Sequence, residues 1–209
     1  MSIGPIGTPG NQDSRRRVLD AARAQVRRYG VGKTTVQDIA RVLGTSHTAL
    51  YRHFPSKQAI LEALAGEAME ADAAAAGAEL ARPGPAAARI MAAILAVHRA
   101  KLRRLAQDPE LHGLAVLMMT QRPDLVAGWM AAIREVLARA IRDGIALGEF
   151  AATDAESAAQ ALLVGCAAFL HPGLVAQNAG QPTEEWAEAV VGLMLDGLAR
   201  RSPVENGLS

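Results

Sequence analysis

Between Thr45 and His53 the chain sets out seven side chains that donate or accept hydrogen bonds: Thr45, Ser46, His47, Thr48, Tyr51, Arg52 and His53. Lys57 follows in the next helical segment. These are the groups a nucleic-acid duplex takes. Phosphates need donors, and base edges need a mixture of donors and acceptors. The charge distribution points the same way. Residues 1–60 hold ten Lys and Arg against three acids, whereas the remainder holds twelve against eighteen, for a net charge of only +1. A basic head on an acidic body meets a polyanion through the head.

The flanking pattern supplies elements to position these groups. Val18, Leu19, Ala22 and Val26 form an apolar stripe at helical spacing from about Ser14 to Tyr29, and Gly30 is a natural stop. Thr34-Thr35-Val36-Gln37 reads as a capping box, with Thr34 as N-cap and Gln37 at the third helical position. It opens a short helix over 35–43 with Val36, Ile39, Ala40 and Leu43 inward, ended by Gly44. Ser46 caps a second short helix over 47–53, and Ser56 caps a longer one carrying Ile60, Leu61, Leu64 and Ala68. Two short helices joined by Gly44-Thr45-Ser46 have the size of a helix-turn-helix. The first braces the second, whose N-terminal residues reach base edges in the major groove. The N-terminal amides of the third helix, with Lys57, suit a phosphate.

Helical patterns continue to the end. Pro83-Gly84-Pro85 precedes a helix at 86–106, Asp108-Pro109 opens one to about Thr120, and Arg122-Pro123 opens one to about Leu147. Thr153-Asp154-Ala155-Glu156 reads as a second capping box for a helix reaching Leu170, broken by Leu170-His171-Pro172-Gly173. Pro182-Thr183 starts a last helix ending near Arg201. Half the residues are hydrophobic and only 3% aromatic, so an Ala- and Leu-rich core forms. The fold class is all-α, about nine helices, without strand-like alternation or an internal repeat.

Other chemistry finds no support. There is no nucleophile elbow, phosphate loop or apolar carboxylate pair, and the protein is expected not to be an enzyme. Asp154, Glu156, Glu184, Glu185 and Glu188 lie at helix starts, where the helix dipole explains them. His98, His112 and His171 lack metal-ligand spacing with each other and with Cys166, the lone cysteine, so no metal and no cofactor are expected. The first residues show no signal-peptide core, and no apolar run reaches the ~18 residues of a membrane span. The expected location is cytoplasmic, with no membrane partner.

The runs Thr34-Thr35-Val36-Gln37-Asp38-Ile39-Ala40, Leu43-Gly44-Thr45-Ser46 and Ala49-Leu50-Tyr51-Arg52-His53-Phe54-Pro55-Ser56-Lys57 together resemble the DNA-binding domain of the tetracycline-repressor (TetR) family. The resemblance covers about residues 14–61; beyond it, only length, helix count and apolar composition are similar. It implies that Thr35 and Gln37 touch phosphate or the edge of the site, that His47 and Thr48 face bases, and that Tyr51, His53 and Lys57 hold the backbone. Arg52 reaches phosphate or guanine, and Arg15, Arg16 and Arg17 act as an arm along the backbone or into the minor groove. It further implies a ligand-responsive regulator, by default a repressor, that binds a palindromic operator as a homodimer. The domains expected are a disordered tail at 1–12, the DNA-binding head at 13–58, a ligand-sensing and dimerisation body at 59–202, and a disordered tail at 203–209.

A small, hydrophobic effector is expected in the body. Met91, Leu95, His98, Leu102, Leu114, Met118, Trp129, Met130, Ile133, Cys166 and Phe169 are candidates to line its site, although such residues on a helical stripe are usually core. The dimer surface is expected on the last two helices, at Ala158, Ala161, Leu162, Gly165, Trp186, Val190, Leu193 and Met194, the alternative being packing inside one protomer. A helical carrier or interaction protein with a silent head is the rival reading, and the intact Tyr51, His53 and Lys57 speak against it.

Overall fold

The structure is a computed structural model that describes residues 9–151 and 153–199. The expected tails at 1–8 and 203–209, and the expected end of the last helix near Arg201, lie outside the described residues. Within them the chain is built from helices: α1 (Pro9–Lys33), α2 (Val36–Val42), α3 (His47–Tyr51), α4 (Lys57–Leu80), α5 (Ala86–Gln107), α6 (Pro109–Gln121), α7 (Pro123–Ala146), α8 (Ala155–Gly165), α9 (Ala167–Leu170), α10 (Pro172–Gln177) and α11 (Thr183–Ala199).

Helix α1 begins at Pro9, so residues 9–12 of the segment expected to be disordered are helical. Proline at a helix start loses nothing, because its missing N–H would have been unpaired there. Gly30 interrupts α1 rather than ending it: at φ 80° and ψ 162° it makes a kink, after which one more turn runs to Lys33. Thr34 then donates its backbone N–H and its hydroxyl to the Gly30 carbonyl, at 3.2 Å and 2.8 Å. That corrects the first capping box. Thr34 is buried and bonded backwards, and Thr35, in an extended conformation, caps α2 by accepting from the Asp38 N–H. Asp154 likewise caps α8, accepting from the N–H and the hydroxyl of Ser157. A capping residue needs extended backbone and an open side chain, and Thr34, buried and bonded to Gly30, lacks the second.

The single helix expected over 154–170 is also divided into α8 and α9, and with α10 the count rises from about nine to eleven among the described residues. Cys166 leaves helical geometry at φ −91° and ψ 10°, and His171 is extended. Proline at 172 dictates the second break, since its ring excludes the α conformation from the residue before it. The same proline opens α10, for which no expectation existed.

Two cores result. The head core gathers Val18, Leu19, Val26, Ile39, Leu50 and Phe54 with Ile60, Leu61 and Leu64 from the first turns of α4. It also takes in Leu114 and Met118 of α6. The boundary expected at residue 58 therefore falls inside α4, with head packing continuing beyond it. The body core is formed by α5, α7, α8 and α11 around Ile90, Ile94, Ile141, Leu162 and Val191. No helix among the described residues is long and apolar enough to cross a membrane.

Candidate nucleic-acid interface and effector cavity

Helix α3 has five residues, and one turn of it sorts them by face. Leu50 is buried in the head core, whereas His47, Thr48 and Tyr51 are exposed, as are Thr45, Ser46 and Arg52 beside them. Ser46 caps α3 by accepting from the Ala49 N–H at 3.1 Å, and its own hydroxyl proton stays available to donate. The His47 and Tyr51 rings meet edge to face at 4.5 Å, which fixes both on the exposed side of the helix. Gly44, at φ 63°, turns the chain between α2 and α3, a backbone conformation that a β-carbon disfavours.

The neighbouring basic groups are held by the head itself. Lys57, in the first turn of α4, donates to the Val31 carbonyl at 2.8 Å. Thr35 is exposed but its hydroxyl bonds the Asp38 carboxylate, which also pairs with Arg41; the Thr35 bond first, then Arg41, holds Asp38 below the usual carboxylate range. Gln37, two residues after Thr35, is exposed. His53 is half-buried, its Nδ1 at 2.9 Å from the Asn11 side-chain oxygen.

The arginine run is corrected in kind. Arg15, Arg16 and Arg17 stand on α1 and do not form a free arm. Arg15 donates to the His53 carbonyl at 2.9 Å and stacks over the Phe54 ring at 4.0 Å. It ties α1 to the end of α3 through a cation–π contact. Arg16 and Arg17 are exposed. Sequence reasoning missed Asn11, because a Gly- and Pro-rich stretch carries no periodic signal.

The body holds an apolar cavity of about 150 Å³ between α4, α5 and α7. Of the expected lining residues it takes Trp129, Met130 and Ile133. The others lie elsewhere. Leu114 and Met118 are buried in the head core, because α6 turns that face to α1. Leu95, Cys166 and Phe169 are in the body core, Met91 packs against it on the α11 side, and Leu102 is half-buried off the cavity. His98 is a staple: its Nδ1 lies 3.1 Å from the Phe169 carbonyl and its Nε2 lies 2.9 Å from the Thr183 hydroxyl. A carbonyl only accepts, so Nδ1 carries a proton and donates it to Phe169, while the Thr183 hydroxyl bonds Nε2. It joins α5, α9 and α11. His112 meets a carbonyl at the chain break, donating Nε2–H to Pro172 at 2.9 Å, while burial lowers its pKa. Helix α4 supplies the wall that the sequence did not disclose, with Met69, Asp72, Ala76 and Leu80. The only signal was Asp72 standing in an alanine run, and its partners are 29 and 32 residues away.

The expected dimer residues divide as well. Ala158 and Leu162 are buried within the protomer, where their small and branched side chains pack the body core. Gly165 and Met194 face each other closely, since a β-carbon at Gly165 would stand 2.8 Å from the Met194 side chain. Val190 and Met194 lean on the core, while Ala161, Trp186 and Leu193 are exposed.

A short exposed recognition helix braced by a second, on a basic head joined to a helical body, defines a helix-turn-helix transcription regulator. Comparison with known proteins places it further. Residues 18–64 match the family model described as bacterial regulatory proteins, tetR family, and residues 86–191 match the tetracyclin repressor-like C-terminal domain. The chain belongs to the TetR family of DNA-binding transcriptional regulators. It is 42% identical over 65 residues to the HTH-type transcriptional repressor Rv1474c of Mycobacterium tuberculosis, a match spanning 31% of this chain and 35% of that repressor. Its fold is similar to a TetR/AcrR-family regulator from Thermobifida fusca, with TM-score 0.65 and 23% identity over 90% of this chain and all of that one. It is also similar to the regulator FadR of Bacillus subtilis, solved in complex with stearoyl-CoA, with TM-score 0.64 and 19% identity over 87% of this chain and 98% of that one.

Proposed function

We propose that this chain is a repressor that binds a palindromic operator as a homodimer and is released by a small apolar effector. The observation that carries the reading is the course of α4. Its first turns share the head core with Leu50 of the recognition helix, and its last three turns form a wall of the cavity. An effector acts only if it binds the DNA-incompetent arrangement more tightly than the competent one. A ligand that wedges α4 from α7 does so, because α4 is one continuous helix shared by both cores.

At the operator, His47 and Thr48 read base edges, and Tyr51, Arg52, His53 and Lys57 hold phosphates. Thr35, Gln37, Thr45, Ser46, Arg16 and Arg17 lie at the margins, and Arg15 supports the site from within the head. One head buries too little area for a specific complex, so two half-sites are read by a symmetric pair. The exposed apolar residues of α8 and α11, with Val164 at 65%, Leu193 at 74% and Trp186 at 45% exposure, support those helices as the shared face.

Selection of bound DNA from a random pool tests the reading. A palindromic consensus is expected, lost in the Leu193→Glu variant together with the dimer in sedimentation. A non-palindromic site bound equally well by the monomeric variant would overturn it.

A further inference from the structure

The cavity is lined by apolar side chains except for Asp72 and Lys101. Both are more than nine-tenths buried. Lys101 Nζ donates to Asp72 Oδ2 at 2.6 Å, and Arg104 Nη2 donates to Asp72 Oδ1 at 2.6 Å and to the Ala68 carbonyl at 3.2 Å. One carboxylate thus serves two cations. Nearby acids do not make up the difference: Glu62 pairs with Arg122, Glu67 with Arg23 and Asp108 with Arg27, while Glu70 is exposed. A surplus positive charge therefore sits in the wall of an apolar cavity, where burial without a counter-ion is costly. Lys101 still has two N–H groups beyond the one given to Asp72.

From this we infer that the effector is a compact monocarboxylic acid, with its apolar part between α4 and α7 and its carboxylate on Lys101. A ligand cation is disfavoured, since both Asp72 oxygens are engaged and the local charge is already positive. A cavity of this size holds a benzene-sized group, and Met69, Met119 and Met130 on its walls adapt to somewhat more. That selects an aromatic or medium-chain acid and not a bulky polycyclic one. The inference rests on the effector reading above and narrows its chemistry.

Titration calorimetry on the full-length protein at pH 7 with octanoate, octanol and octylamine tests it. Octanoate is expected to bind about tenfold or more tighter than octanol, the gain of one charge-assisted hydrogen bond. Octylamine should bind more weakly than either. In Lys101→Met the acid and the alcohol should bind alike, and Ala76→Trp should exclude both by filling the chamber. If octanol matches octanoate in the unaltered protein, the carboxylate inference is overturned while the apolar site stands. If Lys101→Met keeps the acid preference, Lys101 is not its anchor and the inference fails in the same way. If none of the three binds and Ala76→Trp behaves as the unaltered protein, the cavity is not an effector site, and the inference and the reading beneath it both fall. The comparison within the unaltered protein decides even where a variant does not fold.

Discussion

Gly30→Ala is the most exacting test of how the head is built. Gly30 holds φ 80° and ψ 162°, a region essentially closed to a residue with a β-carbon. Retaining that conformation costs about 1–3 kcal/mol. The added carbon would also stand 3.0 Å from Glu110 Oε2, but that is the tip of an exposed, flexible side chain that swings aside cheaply. Backbone strain therefore dominates. Relaxing it by rotating φ is no escape, because the Gly30 carbonyl accepts both the Thr34 N–H and the Thr34 hydroxyl, and those bonds set the path into α2. For a chain of this length, about 1–3 kcal/mol lowers the melting temperature by roughly 2–12 °C. Gly32→Ala is the internal control, since its added carbon meets nothing and its backbone is helical. There the change should be neutral or mildly stabilising, by up to about 1 kcal/mol. Thermal and urea denaturation of both variants decide the matter. A Gly30→Ala protein within about 0.5 kcal/mol of the parent, or one no less stable than Gly32→Ala, would refute the claim that the kink demands glycine.

Three further outcomes follow from individual side chains. Lys57→Ala should flatten the dependence of log K on log salt for the operator complex by about 0.9, the loss of one phosphate contact, as read by fluorescence anisotropy across salt concentrations. His112 is held neutral by burial, its pKa below the ordinary histidine value. The unfolded chain therefore takes up a proton near pH 6.5 that the folded chain refuses, and stability is full above that pH and falls as the pH drops below it. Urea midpoints at pH 7.5 and 5.5 should show that fall, and His112→Gln should reduce its steepness. Cys166 is fully buried, and its thiol is pushed up to about 11 by burial. Iodoacetamide at pH 8 should leave it unlabelled in the native protein and label it fully in urea; labelling of the native protein would show that α8 and α9 open.

The chain's local order alone determined a good deal. The stripe of Val18, Leu19, Ala22 and Val26, the turn at Gly44-Thr45-Ser46 and the serine before α4 identify the helix-turn-helix, since periodicity, caps and turns act within a few residues. The family of the head was legible for the same reason. Local signals also set the limits of that reading. They placed the α2 cap at Thr34, because only the backbone path after Gly30 shows that Thr34 points inward. They assigned Leu114 and Met118 to an effector site, because a helical stripe records that a face is buried and not what buries it. Tertiary structure alone decided which two cores share α4, that Arg15 is anchored on Phe54, and that Asp72 serves two cations. Each of those depends on groups 29 or more residues apart brought together by packing. Such pairing is set by how whole helices dock, which no window of sequence contains.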